Sequence, residues 1–424
     1  MAGFDATARM YKYYGPMAGR KRQRQGKKKT WALAAAVLAL CGAAAWVVLA
    51  PRAAHVSNRE ASSAQANSAQ AGSVQTAPSE PAPAQQAPND GIDELQQLLA
   101  GMTLEEKVGQ MFLARCPRRD AAQKAAEYHL GGYLLFSEDF EGRTPQTAAA
   151  EIASYQAAAT VPLFIGVDEE GGAINRISRF SAFRAAPFPS PQQLYQADGL
   201  AAVRRDTLEK CAFLRGLGIN MNFAPVCDVS TEESDFIYAR TLGQGPQQTA
   251  AYAREVVQAM AGQGVASVLK HFPGYGNNAD THTGIAHDMR SYETFEQADF
   301  VPFRAGIEAG ANVVLVCHNI VECMDAGMPA SLSPRVHEIL RQGLGFSGVI
   351  VTDDLYMRGI RDFMGPADAA VQAVLAGNDL LCCTEFEVQV PAVVEAVRHG
   401  VIDQAQVDAS VLRILRLKQA LGLL

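Results

Sequence analysis

The sequence predicts an α/β fold, a (β/α)8 TIM barrel preceded by an N-terminal transmembrane helix and a disordered linker. Three observations carry that prediction. From Asp93 onward, short apolar runs alternate with amphipathic stretches, the rhythm of repeated βα units. Eight such runs fall within roughly 330 residues, the strand number and size of a closed parallel barrel. Upstream of them, an uncharged run follows a block of Lys and Arg and precedes a stretch almost devoid of aliphatic side chains. A doubly wound open sheet fits the same alternation, and strand order separates the two.

Residues 1–29 form a basic cytoplasmic segment. Nine Lys/Arg face the single Asp5 there, a local charge of +8 in a chain of −7, so the remaining residues sum to −15. An acidic body with no further basic patch argues against nucleic acid as a partner. Residues 30–51 read as a transmembrane signal-anchor, because Trp31–Ala50 lacks charge and is long enough to cross a bilayer as a helix. Arg20, Lys21, Arg22, Arg24, Lys27, Lys28 and Lys29 stand before this run and Arg52 after it, which sends the rest of the chain outward. The expectation is a single-pass cell-membrane protein with an extracytoplasmic domain. A cleaved signal peptide is the rival reading, and the long leader speaks against it. Residues 52–90, rich in Ala, Ser, Gln and Pro, cannot bury enough apolar surface to offset their ordering entropy and read as a flexible linker.

Residues 91–424 hold the barrel. Its strands are expected in Met111–Cys116, Gly132–Phe136, Pro162–Asp168, Ile219–Val226, Ala266–His271, Asn312–His318, Gly348–Asp353 and Asn378–Cys383. Thr249–Gln263, Ala367–Ala376 and Asp408–Leu421 have the apolar spacing of connecting helices. Seven cysteines lie in this region without CxxC or CxxC…HxxxH spacing, so no metal site is expected and buried free thiols are the default.

Active sites in such barrels gather at the C-terminal ends of the strands. Polar residues arrive abruptly at four of those ends: Asp168, Lys270-His271, His318 and Asp353-Asp354. After Lys270-His271 a Gly/Pro-rich loop, Phe272-Pro273-Gly274-Tyr275-Gly276, leads to Asp280-Thr281-His282. A histidine exchanges protons near neutral pH, and a neighbouring carboxylate fixes its tautomer. An isolated DxH in a mobile loop is more often simply solvated; its place after the Lys-His strand end shifts that balance. Asp353 ends an apolar strand, where a carboxylate can attack an anomeric carbon, as in retaining glycosidases. One member of the Asp353-Asp354 pair can equally cap a helix. Attack is assigned to Asp353 and structural duty to Asp354.

The motifs KHFPGYG, Asp280-Thr281-His282, VDEEGG (167–172), NFAPVCDV (222–229), PASLS (329–333) and GFSGVIVTDDLYM (345–357) resemble the glycoside hydrolase family 3 β-N-acetylhexosaminidases, in the family's order, from about Leu95 to the C-terminus. The resemblance implies a (β/α)8 barrel, a retaining two-step mechanism, and no cofactor or metal. It implies Asp353 as nucleophile, His282 as acid/base and Asp280 as the dyad partner. Asp168, Arg176, Arg240, Lys270, His271 and His318 are implied to bind the sugar. Tyr275 stands where such enzymes often carry a second histidine, and Ala173 replaces a frequent arginine.

The expected activity is that of a retaining exo-β-N-acetylglucosaminidase acting on glycans with N-acetylglucosamine at the non-reducing end, peptidoglycan fragments among them, with an optimum near neutrality. A β-N-acetylglucosaminide phosphorylase shares the dyad, and phosphate dependence would reveal it. A catalytically decayed, anchored glycan-binding protein would bind without turnover. A family 3 β-glucosidase draws its acid/base from a second domain, for which this sequence shows no room.

Overall fold

The computed structural model describes residues 90–424 apart from Ala279. The expected basic segment, the transmembrane helix at 30–51 and the linker at 52–90 lie outside those residues, except Asp90, which opens a helix running to Gly101. Among the described residues, no helix is long and apolar enough to cross a membrane.

Eight short parallel strands form the centre: β1 (Phe112–Arg115), β2 (Gly132–Leu135), β3 (Phe164–Val167), β4 (Met221–Asn222), β5 (Ala266–Phe272), β6 (Val313–Val316), β7 (Val349–Thr352) and β8 (Leu381–Cys383). They pair in the order β7-β6-β5-β4-β3-β2-β1-β8. A parallel bridge from Val351 to Leu380, at the entry to β8, closes the ring. Sequential neighbours all the way round exclude the doubly wound sheet, whose strand order reverses partway. Every strand residue except Arg115 is buried. That is why these segments read as unbroken apolar runs rather than alternating ones.

Each expected run contains its strand, save that β5 runs one residue further, to Phe272. The largest trimming is at β4, expected over Ile219–Val226, because Pro225 has no N–H for the ladder and the chain regains a bridge only from Val226 to Lys270.

The outer helices are punctuated as sequence chemistry demands. Helices Pro145–Ala158 and Pro191–Gly216 open with proline directly after Thr144 and Ser190, whose side-chain oxygens accept the N–H three residues on. Helix Gln404–Ala420 buries Val407, Val411, Ile414 and Leu415, one face at helical spacing. Each such side chain contributes roughly 1.5–3 kcal/mol when fully buried. All seven domain cysteines are free thiols; six are buried and Cys323 is exposed.

Candidate active site

The site is built on the C-terminal strand ends, and β5 is where the ladder departs from regularity. In a regular strand, successive side chains point to opposite faces. Here the β5–β6 register shifts between Leu269 and Phe272, and Lys270 and His271 both line the same cavity. Such irregularities re-aim side chains beside functional sites.

Beyond β3, Asp168 enters an antiparallel ribbon of Glu169–Gly171 with Ile174–Asn175, which brings Arg176 back over the strand end. The buried Glu169 carboxylate accepts the backbone N–H groups of Arg176 and Ile177, both at 2.9 Å, and so fixes the turn that presents Arg176. Arg176 Nη2 reaches Asp168 Oδ2 at 3.3 Å. Among the described residues its buried Nε has no partner.

A network of buried charges joins four chain segments. Lys270 Nζ lies 2.8 Å from Asp168 Oδ1 and 2.5 Å from Glu170 Oε1. Arg240 donates twice to Glu170, at 3.0 and 2.7 Å, and its Nη2 stands 3.0 Å from His271 Nε2. His271 Nδ1 is 2.7 Å from Asp228 Oδ2. A guanidinium only donates, so Nε2 accepts from Arg240 and Nδ1 carries the proton toward Asp228. Burial pushes the Glu170 carboxyl up, but Arg240 and Lys270 outweigh it and hold it at about 2. Burial is likewise overcome at Asp168, where Lys270 and then Arg176 keep the carboxyl far below its ordinary range.

On the opposite side, Asp353 follows β7; its N–H donates to the Val316 carbonyl, and its Oδ1 accepts from the Asp354 N–H at 2.9 Å. Asp354 accepts from the Tyr356 N–H and the Thr384 hydroxyl, both at 2.9 Å, and burial raises its carboxyl above the ordinary range. These bonds tie Asp354 to the loops that follow β7 and β8, and it also borders the cavity beside Asp353. His318 lies deeper than the expectation of a sugar contact placed it. It is fully buried, with Nε2 at 3.0 Å from the Asp354 carbonyl and Nδ1 at 2.8 Å from Ser331 Oγ. A carbonyl only accepts, so Nε2 donates and Nδ1 accepts from the serine; burial lowers the imidazole's pKa further. With both nitrogens engaged, His318 supports the peptide that follows the nucleophile candidate.

The loop after β5 carries Asp280 and His282. Asp280 Oδ1 accepts from the His282 N–H at 2.9 Å and from its Nδ1 at 2.7 Å. Burial raises the Asp280 carboxyl, and those two bonds more than offset it, so its pKa is lowered. With Nδ1 donating to the carboxylate, Nε2 is the nitrogen left for proton exchange. The His282 side chain is 62% exposed.

These elements enclose a cavity of about 400 Å3. Asp168, Arg176, Arg240, Lys270, His271, His282 and Asp353 line it; Asp280 stands behind His282, and His318 is not among the lining residues. Sequence reasoning missed Glu170 and Asp228 as the carboxylates that interlock the basic residues. It also missed Arg115, Phe136, Tyr356, Arg358 and Arg361 on the wall. Arg115 was discoverable, since it ends β1 by the same strand-end rule.

Comparison with known proteins fits this geometry. Residues 103–417 match the glycosyl hydrolase family 3 N terminal domain. The chain is 30% identical to β-hexosaminidase A of Pseudoalteromonas piscicida, over 71% of this chain but only 55% of that protein. It is 33% identical to the β-hexosaminidase LpqI of Mycobacterium tuberculosis, over 74% of this chain and 82% of that one. Among solved structures, a family 3 β-N-acetylglucosaminidase from Paenibacillus sp. str. FPU-7 superposes with a TM-score of 0.72 at 32% identity, covering 76% of this chain and 63% of that one.

Proposed function

The chain belongs to glycoside hydrolase family 3, in its β-hexosaminidase branch, and from that premise we propose that it is a retaining exo-β-N-acetylglucosaminidase. The observation that carries the proposal is one cavity lined by a carboxylate, a carboxylate-backed histidine and an interlocked set of sugar-hydroxyl partners. A cavity of about 400 Å3 is the size of a small-ligand site.

In the proposed cycle, the Asp353 carboxylate attacks the anomeric carbon and the glycosidic C–O bond breaks. Protonated His282 gives its Nε2 proton to the departing oxygen. Water then attacks the glycosyl ester, losing its proton to His282, and Asp353 leaves as carboxylate. Asp280 orients the imidazole and offsets its positive charge in the cationic form. Asp168, Arg176, Arg240, Lys270 and His271 hold the sugar. Lys270 and Arg240 are themselves held by Glu170, so these donors are set before the sugar arrives.

The aglycone reading extends to peptidoglycan-derived fragments. The exposed side chains of Arg358 and Arg361, with Arg115, border the cavity and suit a leaving group that bears a carboxylate. The basic segment and uncharged run at 1–51 support a membrane-anchored enzyme working outside the cytoplasm, where such glycans lie. The test is hydrolysis of 4-nitrophenyl β-N-acetylglucosaminide beside the β-glucoside, with and without phosphate. Preference for the N-acetyl sugar with free sugar as product is the expected result. A sugar-1-phosphate product, or binding without turnover, would replace this reading with one of its rivals.

A further inference from the structure

The loop bearing the dyad contains a fastening that the catalytic scheme does not use. Its base is fixed from below. Arg290 donates to the Gly274 carbonyl at 3.0 Å while paired with Asp288 and Asp299, and Asp228 accepts the Tyr275 N–H at 2.8 Å. Gly274 and Gly276 flank Tyr275 at φ +126 and +52, and a Cβ on Gly276 would lie 2.2 Å from Arg290 Nη1. The Tyr275 backbone is therefore tightly seated. Its ring is 2% exposed and packs edge-on against His271, with centroids 5.0 Å apart.

From that seat the Tyr275 hydroxyl reaches Thr281 Oγ1 at 2.8 Å. Thr281 lies between the two dyad residues and is fully buried, although the His282 side chain beside it is 62% exposed. The Thr281 carbonyl in turn accepts the N–H of Gly359 at 3.2 Å, on the helix Arg358–Arg361 just past Asp353. Gly359 sits close under the loop, where an added Cβ would stand 3.3 Å from the Thr281 carbonyl and 3.4 Å from that of Gly284. One residue thus ties the sugar-binding side of the site to the nucleophile side.

We propose that Tyr275 and Thr281 form a latch that seats the acid/base loop, making Tyr275 a positioning residue for proton transfer by His282. The proposal rests on the glycosidase reading above. A buried phenol needs some partner, so a merely satisfied hydroxyl is the competing account. The two differ in what removal does. An unlatched loop leaves the sugar clamp intact and weakens proton donation, which matters most when the leaving group is a sugar alkoxide and least when it is a nitrophenolate.

The experiment compares wild type, Tyr275→Phe and Thr281→Val on an N-acetylglucosamine disaccharide and on 4-nitrophenyl β-N-acetylglucosaminide, with hydrogen–deuterium exchange over residues 276–284. A latch lowers kcat/KM on the disaccharide by roughly tenfold to a hundredfold, spares kcat/KM on the nitrophenyl substrate, whose first step needs little acid, and speeds exchange in the loop. The double variant should be no worse than either single one, since both remove the same bond. Equal losses on both substrates, no loss on either, or unchanged exchange would overturn the proposal. If wild type turns over neither sugar, the glycosidase reading falls, while the exchange data still decide whether the loop is latched.

Discussion

Lys270 is 2% exposed at its side chain and lies between Asp168 and Glu170, whereas His282 is 62% exposed and is backed by Asp280. The first belongs to a clamp of interlocked charges from separate segments of the chain. The second belongs to a loop seated by a few bonds. The contrast fits the tasks proposed for them. Sugar hydroxyls are recognised by donors and acceptors that must already point the right way, and low-dielectric surroundings strengthen such contacts. A proton carrier has to change charge in each half of the cycle, and deep burial would penalise its cationic form. Clamp variants should therefore show themselves in stability and binding, and loop variants in rate.

The largest effect is expected where both regions converge. Asp353→Asn should reduce turnover of the nitrophenyl N-acetylglucosaminide on the order of ten-thousandfold, with the melting temperature little changed. Retained activity would remove Asp353 from the proposed role and leave the cavity as a binding site. Next comes Lys270→Met. It strands Asp168 and Glu170 as buried carboxylates short of a cation, and breaking such a network costs about 3–5 kcal/mol. Chemical denaturation should show that loss, together with weakened sugar binding. If stability were unchanged, the clamp would be no more interlocked than the loop.

This contrast also marks what the sequence could reveal. The strands were legible because parallel strands covered on both faces are continuous apolar runs, and Asp168, Lys270 and Asp353 were legible as polar residues ending them. The β4 boundary was overextended because Pro225 is apolar by composition yet has no N–H to donate to a ladder. Glu170 and Asp228 escaped notice as functional residues. Their meaning lies in meeting Arg240 and His271, which are distant in the chain. Arg358 and Arg361 carry no motif or strand-end position that singles them out in the sequence, and only the folded chain brings them to the cavity. For His318, strand-end position gave the right height but not the depth, because two buried partners occupy its ring.

Acid should separate the regions more gently. Glu170 is lowered from 4.5 to about 2 in the folded protein, so it binds fewer protons folded than unfolded between those values. The stability it contributes is fully present above about pH 4.5 and is lost as pH falls toward about 2; Asp168 has the same sign. Each tenfold weakening of proton affinity on folding is worth about 1.4 kcal/mol, so Glu170 alone accounts for at most roughly 3–4 kcal/mol. Thermal melts from about pH 3 to about pH 7 should fall on the acid side, and Glu170→Gln should give a lower but flatter curve. An equally steep curve in that variant would place the acid-sensitive group elsewhere.

The smallest expected change is the most discriminating. Asp280→Asn keeps the shape of the dyad and an oxygen able to accept from His282 Nδ1, but removes the negative charge that supports the imidazolium. Because His282 is 62% exposed and Asp280 35% exposed, the pair's share of folding stability is at most about 1 kcal/mol, and the melting temperature should barely move. Rate should respond instead. With less support for the cationic acid, the alkaline limb of the kcat/KM profile should shift to lower pH, and turnover of a disaccharide should fall roughly tenfold. The nitrophenyl substrate, which needs little protonation to leave, should lose less. A uniform loss on both substrates with a lowered melting temperature would mean that the loop is held as the clamp is, through interlocked charge. The expected outcome instead leaves binding to the buried network and proton transfer to a group at the surface, joined at Thr281.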